Sequence, residues 1–473
     1  MNFISNKLRH ALVSLGCVML LGACSDSTPV PEDNDGPNLN ESPVVMFHIS
    51  TLNAGVSSGS EVTELINTLR IIMIHESGSE IRIEANRLID THQADNNFNY
   101  MFQKRTLPGK KRIYLIANEQ SVKTVGLVSG SFPAVMQNPD LKTVLDYYEP
   151  DLITDGTEEG TATIDREYSA SDFEEVLTSL YFEGEGAYEI NGGVVCLPYS
   201  AFYDDIEVHE NEKIDNTEKP MYLVPAATKF TFKFINERTA GDVAVDYLAL
   251  ASTQKTNYLM ANLEDQELNK YIGGQKYYWI DWLKYVVDET QANPDLDDNV
   301  PVNGMYGWIS GYNVPVPGDV YEHYFVPDGP ADDPENAPAV KSTSWMLKGA
   351  VEENGRITGT EAEFGPLYIP EGHHVFDEEE TDEETGEVIS TQTVEKYLLK
   401  IKLRNSEAPV DSKSLVDVKI AESEISNLKA LFRNTSVFIT ITLHEGGVNI
   451  YAEPVPWNKK VFFGYVKDED EIK

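Results

Sequence analysis

Short apolar runs with a period of two dominate this chain, and they restrict it to a largely β fold. The clearest spans 228–235. There Phe230, Phe232 and Phe234 point one way and Lys229, Thr231 and Lys233 the other, as in a strand with one buried face. Comparable runs, rich in β-branched and aromatic residues and bounded by turn residues, recur at 44–49, 69–74, 111–117, 193–198, 243–251, 321–325, 344–347, 397–403, 437–443, 448–452 and 461–466. Helical patterns are few. A capping-box spacing from Ser171 to Glu174 opens a short one. Tyr278, Trp282 and Tyr285, with Trp279 beside them, give a core-packing aromatic face over 277–287, and a third short helix is expected over 424–432. Many strands with few helices argue for β-sandwich-like domains. A length of 473 residues fits two or three of them. Hydrophobic residues at 41% supply enough apolar mass to fill their cores.

The N-terminus reads as targeting rather than fold. Lys7 and Arg9 precede an apolar run over 11–21 that is short for a membrane span. The run ends in Leu21-Gly22-Ala23-Cys24, small residues directly before a cysteine. This is similar to a bacterial lipoprotein signal, in which Cys24 takes the lipid and starts the mature chain. The alternative is an ordinary secretory signal cut nearby. Residues 25–42 contain Asp26, Glu32, Asp33 and Asp35 with three prolines and no basic residue, so they are expected to form a flexible tether. With Cys17 removed and Cys24 lipidated, only Cys196 remains, and no internal disulfide can form. Lying in Val194-Val195-Cys196-Leu197, Cys196 is expected to be a buried small hydrophobe.

Charge narrows the partners. Lys plus Arg number 37 against 78 Asp plus Glu, a net charge of −41, which works against binding nucleic acid or anionic headgroups. The polar stretch over 205–220 marks a boundary ahead of the Phe-rich strand, and 327–338 looks like an insertion. A third polar region, 377–387, carries seven acids between Asp377 and Glu384 and reads as a solvated hairpin tip. Enzyme chemistry is not legible. His75-Glu76, His209-Glu210 and His444-Glu445 each lack a second histidine four residues on, and there is no GxSxG elbow or phosphate loop. His373 and His374 are adjacent and would face opposite sides of a strand. Asp295, Asp297 and Asn299 have calcium-loop spacing but lack the following glycine and run into Pro301. Among so many acids, carboxylate pairs suited to glycoside hydrolysis can be drawn anywhere, and none stands out in an apolar context. No enzyme activity, metal or cofactor is expected.

Several phrases, in chain order, resemble the fimbrillins of Bacteroidales, the type V pilus subunits. After the lipoprotein signal and acidic tether come a strand and a Ser/Gly loop, then 62–74 with its Leu69-Arg70-Ile71-Ile72-Met73-Ile74 run. Residues 110–119, containing Ile113-Tyr114-Leu115-Ile116-Ala117-Asn118-Glu119, look like a strand characteristic of that family. Leu197-Pro198-Tyr199-Ser200, the opening strand of a second domain over 224–234, Arg433-Asn434-Thr435 with the strand after it, and Val455-Pro456-Trp457 complete the match. Acidic residues behind the lipidated cysteine also resemble a surface-export signal of Bacteroidetes lipoproteins. The resemblance implies two transthyretin-like β-sandwich domains and a structural role in a surface fimbria. The expected division is a signal over 1–23, a tether over 24–42, and sandwiches over 43–220 and 221–473.

It further implies assembly by donor-strand exchange. The first strand, 43–50, would occupy its own sheet with Val45, Phe47 and Ile49 inward, or else Val44 and Met46. A trypsin-like protease would cut the loop over 52–61, and a neighbouring subunit's strand would fill the vacated groove by β-augmentation. The donor would be C-terminal, with Val448, Ile450, Val455, Trp457, Val461 and Phe463 as candidates; the alternative is that these form ordinary sandwich strands. The expected partners are other fimbrial subunits, the outer membrane through Cys24, and a host or bacterial surface ligand. One departure bears on maturation. No Lys or Arg occurs over 11–69, so the loop offers a trypsin-like protease no site, and Arg70 lies inside an apolar strand. A different protease, or an anchor subunit that keeps its strand and lipid, satisfies this. Two further classes are a surface glycan-binding lipoprotein, with an aromatic platform among Trp279, Trp308 and Trp345, and a glycan-degrading enzyme.

Overall fold

The computed structural model describes residues 43–51, 62–91, 98–150 and 168–263, apart from 185, 192, 211–212, 217–220 and 239–242. Beyond these it describes 312–313, 321–324, 339–341, 347–351, 356–373, 375–381, 388–395, 397–405, 421–424, 430–444 and 447–456.

The protein is mostly β. In chain order the first part contains β1 (Val44–Thr51), β2 (Thr63–Glu64), β3 (Thr68–Ser77), β4 (Glu80–Asp90), β5 (Asn99–Arg105), β6 (Gly109–Ala117) and β7 (Val125–Leu127). Helices α1 (Leu141–Tyr147) and α2 (Ala170–Ser179) follow, then β8 (Leu180–Glu183), β9 (Ile190–Asn191), β10 (Val194–Val195), β11 (Tyr199–Val208), β12 (Lys213–Asp215) and β13 (Met221–Pro225). One group of strands runs β11-β6-β3-β4, all antiparallel. A second group sets β1 between β5 and the pair β12 and β13. Strand β13 joins them, because Met221–Leu223 pair with β1 while Val224 and Pro225 pair with β11. Both groups feed one core, in which Val45, Phe47 and Ile49 sit with Ile71, Met73, Ile113 and Leu115.

Strand β3 is buried from Leu69 to His75 on both of its faces, the pattern of a central strand covered from two sides. The helices form part of that cover. Leu141, Val144 and Leu145 of α1 and Phe173 and Leu177 of α2 belong to the same core. Asn86 Nδ2 ties the end of α1 to β4 by donating to the Leu145 and Tyr148 carbonyls, at 2.7 and 2.6 Å. The capping box of α2 lies two residues earlier than expected. Ser169 is the N-cap: its hydroxyl accepts from Asp172 N–H, and the Asp172 carboxylate accepts from Ser169 N–H.

A second sheet is built around β14 (Thr228–Asn236), which lies between Arg356–Ile369, antiparallel, and Thr435–His444, parallel. Phe230, Phe232 and Phe234 are fully buried, as their alternation requires, and pack with Val437, Ile439 and Ile441. Strand β15 (Val243–Thr253) pairs with Leu398–Asn405, and Gly447–Pro456 pairs with Thr435–His444. Strand β16 (Thr256–Tyr258) pairs with β8 of the first part.

Several details differ from the sequence reading. The polar region over 205–220 is not a bare linker: β11 continues to Val208, and β12 lies inside it. In strand pairing, the change from first to second sheet falls between Pro225 and Thr228, because Met221–Pro225 pair with the first. The described ends of the helix expected over 424–432 are strands instead: Ala421–Glu424 and Ala430–Leu431 pair with Leu398–Ile401 and Gly372–His373, and 425–429 lie outside the described residues. The acidic run is only partly a tip. Asp377–Glu380 lie within a strand (Val375–Thr381) paired to Val388–Glu395, and 382–387 lie outside the described residues. Cys196 is half-buried rather than buried; its sulfur accepts from Asn67 Nδ2 at 3.1 Å, and burial raises the thiol pKa.

Candidate functional site: the first strand and its slot

Strand β1 is an interior strand made from the first described residues of the chain. Its antiparallel partner β5 pairs from Val44–Arg105 to Ser50–Asn99. On the other flank two parallel strands share it, β12 against Val44–Met46 and β13 against Ile49–Thr51. The alternation VVMFHIST places Val45, Phe47 and Ile49 in the core at no more than 1% exposure, while Val44, Met46, His48 and Ser50 are half-buried. Phe47 stacks on Phe102 of β5, centroids 6.4 Å apart with 12° between planes.

The gap between β12 and β13 falls opposite His48, and Asn216 closes it. Its backbone N–H donates to the Met46 carbonyl at 3.4 Å. Its side-chain Oδ1 accepts from His48 N–H at 2.6 Å, and its Nδ2 donates to the His48 carbonyl at 3.3 Å. Thr106 N–H donates to the Pro43 carbonyl at 3.0 Å, and at the other end Ser50 Oγ donates to the Phe98 carbonyl at 2.9 Å. Removing β1 would leave unpaired backbone on both flanks of an apolar trench, which is what an added strand satisfies.

Val448 and Ile450 lie in Gly447–Pro456 and pack against the second core; they are held there by ten register pairs with Thr435–His444. Val455 is on the same strand. Cys24, Trp457, Val461 and Phe463, the loop over 52–61, the helix expected over 277–287 and the three tryptophans at 279, 308 and 345 lie outside the described residues. Arg70, the third residue of β3, is 2% exposed. Its guanidinium forks onto Glu119 at 2.6 and 2.8 Å and reaches Asp146 at 2.5 Å and Asn86 at 2.8 Å. Burial opposes its charge, but the two carboxylates outweigh that and raise its pKa.

Two buried ionic clusters carry no signal in the sequence. Lys111, Glu84 and His75 meet inside the first part: Lys111 Nζ lies 2.7 Å from both Glu84 Oε2 and His75 Nδ1. Glu84 Oε1 accepts from Thr106 Oγ1 at 2.5 Å and Leu107 N–H at 2.8 Å. Burial lowers the pKa of Lys111 despite Glu84, and lowers that of His75 with help from the Lys111 charge. Lys111 and Glu84 are sealed from solvent, so no substrate reaches them. The second cluster joins the two parts of the chain. Arg433 is 1% exposed and pairs with Glu371, also 1%. It donates to the Tyr258 and Leu259 carbonyls at 2.7 and 3.0 Å and approaches Ser200 Oγ on β11 at 3.4 Å. A further link between the parts is Glu64, which takes Lys229 Nζ at 2.6 Å and Tyr368 OH at 2.9 Å.

No protein-family model matches the chain, and no curated protein matches it. Solved structures do overlap it along most of its length. The tip fimbrial protein Mfa3 of Porphyromonas gingivalis, with a C-terminal truncation, is 10% identical, covers 88% of this chain and 99% of its own, and has a TM-score of 0.39. A fimbrilin of Porphyromonas gingivalis W83 is 10% identical, with 88% and 98% covered and a TM-score of 0.36. Overlaps of this size fix neither a family nor a function.

Proposed function

We propose that this chain is a structural subunit of a cell-surface fimbria with a role in adhesion, exported as a lipoprotein through Cys24. In this reading it joins neighbouring subunits by exchanging β1 for a strand of another subunit. The observation that supports the reading is the position of β1: an interior strand with three buried apolar side chains, formed from the first described residues. A single cut after Thr51 would free it without severing any other described strand. The incoming strand would recover the ladder on both flanks and refill the sites of Val45, Phe47 and Ile49. The test is the behaviour of the protein recovered from cells. Ladders that resist sodium dodecyl sulfate, with subunits beginning within or just after 52–61, support the reading. A surface protein that keeps residues 43–51 and stays monomeric overturns polymerisation through β1.

A second position in the fimbria is supported by Arg70. It is the first Lys or Arg after Arg9 and is locked in β3 by Glu119, Asp146 and Asn86, so a trypsin-like cut there would break the core. An anchor subunit, which keeps β1 and the lipid on Cys24, needs no such cut. Recovery of an N-terminal lipidated Cys24 from the outer membrane supports the anchor; a free N-terminus beyond residue 51 excludes it.

A further inference from the structure

Asn216 stands where a strand should be. Strand β12 ends at Asp215 and β13 begins at Met221, so the flank of β1 is interrupted opposite His48. There the pairing passes from backbone to a side chain. One amide group meets both the N–H and the C=O of the same peptide-bonded residue, at 2.6 and 3.3 Å. A carboxamide is the side chain suited to this, because it carries a donor and an acceptor side by side. Asn216 is half-buried, and its own N–H holds the Met46 carbonyl, so the amide is fixed relative to the β1 register.

We infer that Asn216 sets the register and limits the sequence of any strand that occupies the β1 slot. The proposal rests on the strand-exchange reading for its biological use but not for its geometry. An occupant must run parallel to β12 and β13 and antiparallel to β5. It must place apolar side chains at the positions of Val45, Phe47 and Ile49. At the His48 position it must present a free N–H, so proline is excluded there while almost any other side chain is accepted. A slip of one residue would aim the amide at a peptide that faces β5 and would turn the apolar set outward, so one amide and three pockets enforce the same register.

Hydrogen exchange on the full-length protein tests the geometry. In N216A the His48 amide should exchange about tenfold faster than in the wild type, with the Phe47 and Ile49 amides changed less than twofold. Replacing His48 by proline should loosen β1, read from the Val45 and Phe47 amides, several-fold more in the wild type than in N216A. Unchanged His48 exchange in N216A, or equal effects of H48P in both backgrounds, overturns the inference. A labelled synthetic peptide of residues 43–51, and the same peptide with His48→Pro, then test selection on protein cut once after Thr51, from which its own β1 can leave. The first should enter about tenfold more than the second in the wild type and equally in N216A. Equal entry into the wild type overturns the inference. Entry of neither peptide counts against strand exchange itself, and exchange at His48 still decides the part played by Asn216.

Discussion

Replacing Arg433 by methionine should be among the most damaging single changes in the protein. Arg433, two residues ahead of the strand Thr435–His444, reaches three other segments at once: Glu371 beyond Arg356–Ile369, the carbonyls of Tyr258 at the end of β16 and of Leu259 just after it, and Ser200 on β11. Methionine retains the volume and removes the charge. The Glu371 carboxylate, 1% exposed, is then left without its cation, and two buried carbonyls lose their donor. Breaking one side of a buried pair costs about 3–5 kcal/mol. Set against a typical total stability of about 5–15 kcal/mol, this is a large share. Lysine should restore little, since a single ammonium cannot fork onto Glu371 and the two carbonyls together. The double change R433M/E371L should cost less than R433M alone, because the orphaned charge leaves with its partner. Equilibrium urea unfolding followed by circular dichroism measures this. Because the cluster spans both sheets, R433M should also separate their unfolding into two transitions. A cost below about 1 kcal/mol with a single unchanged transition would refute the reasoning, as would a double variant worse than the single one.

The remaining predictions concern the first sheet. His75 is held neutral, its pKa pushed below 6.5 first by burial and then by Lys111, so the folded state binds fewer protons than the unfolded chain below pH 6.5. Stability should therefore fall as the pH drops from 6.5 towards the folded value, and H75Q should flatten that part of a melting-temperature profile. Phe47→Ala removes a ring at 1% exposure stacked on Phe102 and should cost about 3–5 kcal/mol; thermal unfolding of the chain checks it, and a loss under about 1 kcal/mol would show that β1 contributes little to the core. Asn118 is fully buried at φ 58°, accepts from Asn67 N–H at 2.8 Å, and donates to the Leu65 and Leu197 carbonyls at 2.7 Å each. Asn118→Gly keeps the backbone conformation but not these bonds, so it should still lose about 2 kcal/mol or more in urea unfolding.

What could be read from the sequence follows the physics of each element. The Phe230, Phe232 and Phe234 strand and the inward set Val45, Phe47 and Ile49 announce themselves because one apolar face alternates with a wetter one. Strand β12 does not, because Lys213 and Asp215 are exposed and it serves β1 through its backbone. The α1 helix carried a signal that a strand-centred reading passes over: Asp140 as cap, then Leu141, Val144 and Leu145 at helical spacing. Over 424–432 the local pattern favours a helix, but at the described ends of that stretch pairing with Leu398–Ile401 and Gly372–His373 overrides local preference. Arg433, Lys111 and Glu84 were illegible for a different reason. A charge in a strand normally faces water, and only the fold reveals that its counter-charge lies 62 residues away for Arg433 and 27 for Lys111.

The long reach of β1 also sets an order of construction. Its partner on one flank, Asn216, is 168 residues further along, and closing a loop of that length costs about 4–5 kcal/mol in chain entropy before any contact is gained. A polypeptide that enters its folding compartment N-terminus first therefore presents β1 long before β12, Asn216 and β13 exist to receive it. The earliest strand made is among the last that can be seated. Until residue 213 has arrived, the segment over 43–51 has one of its strand neighbours at most, β5, to pair with.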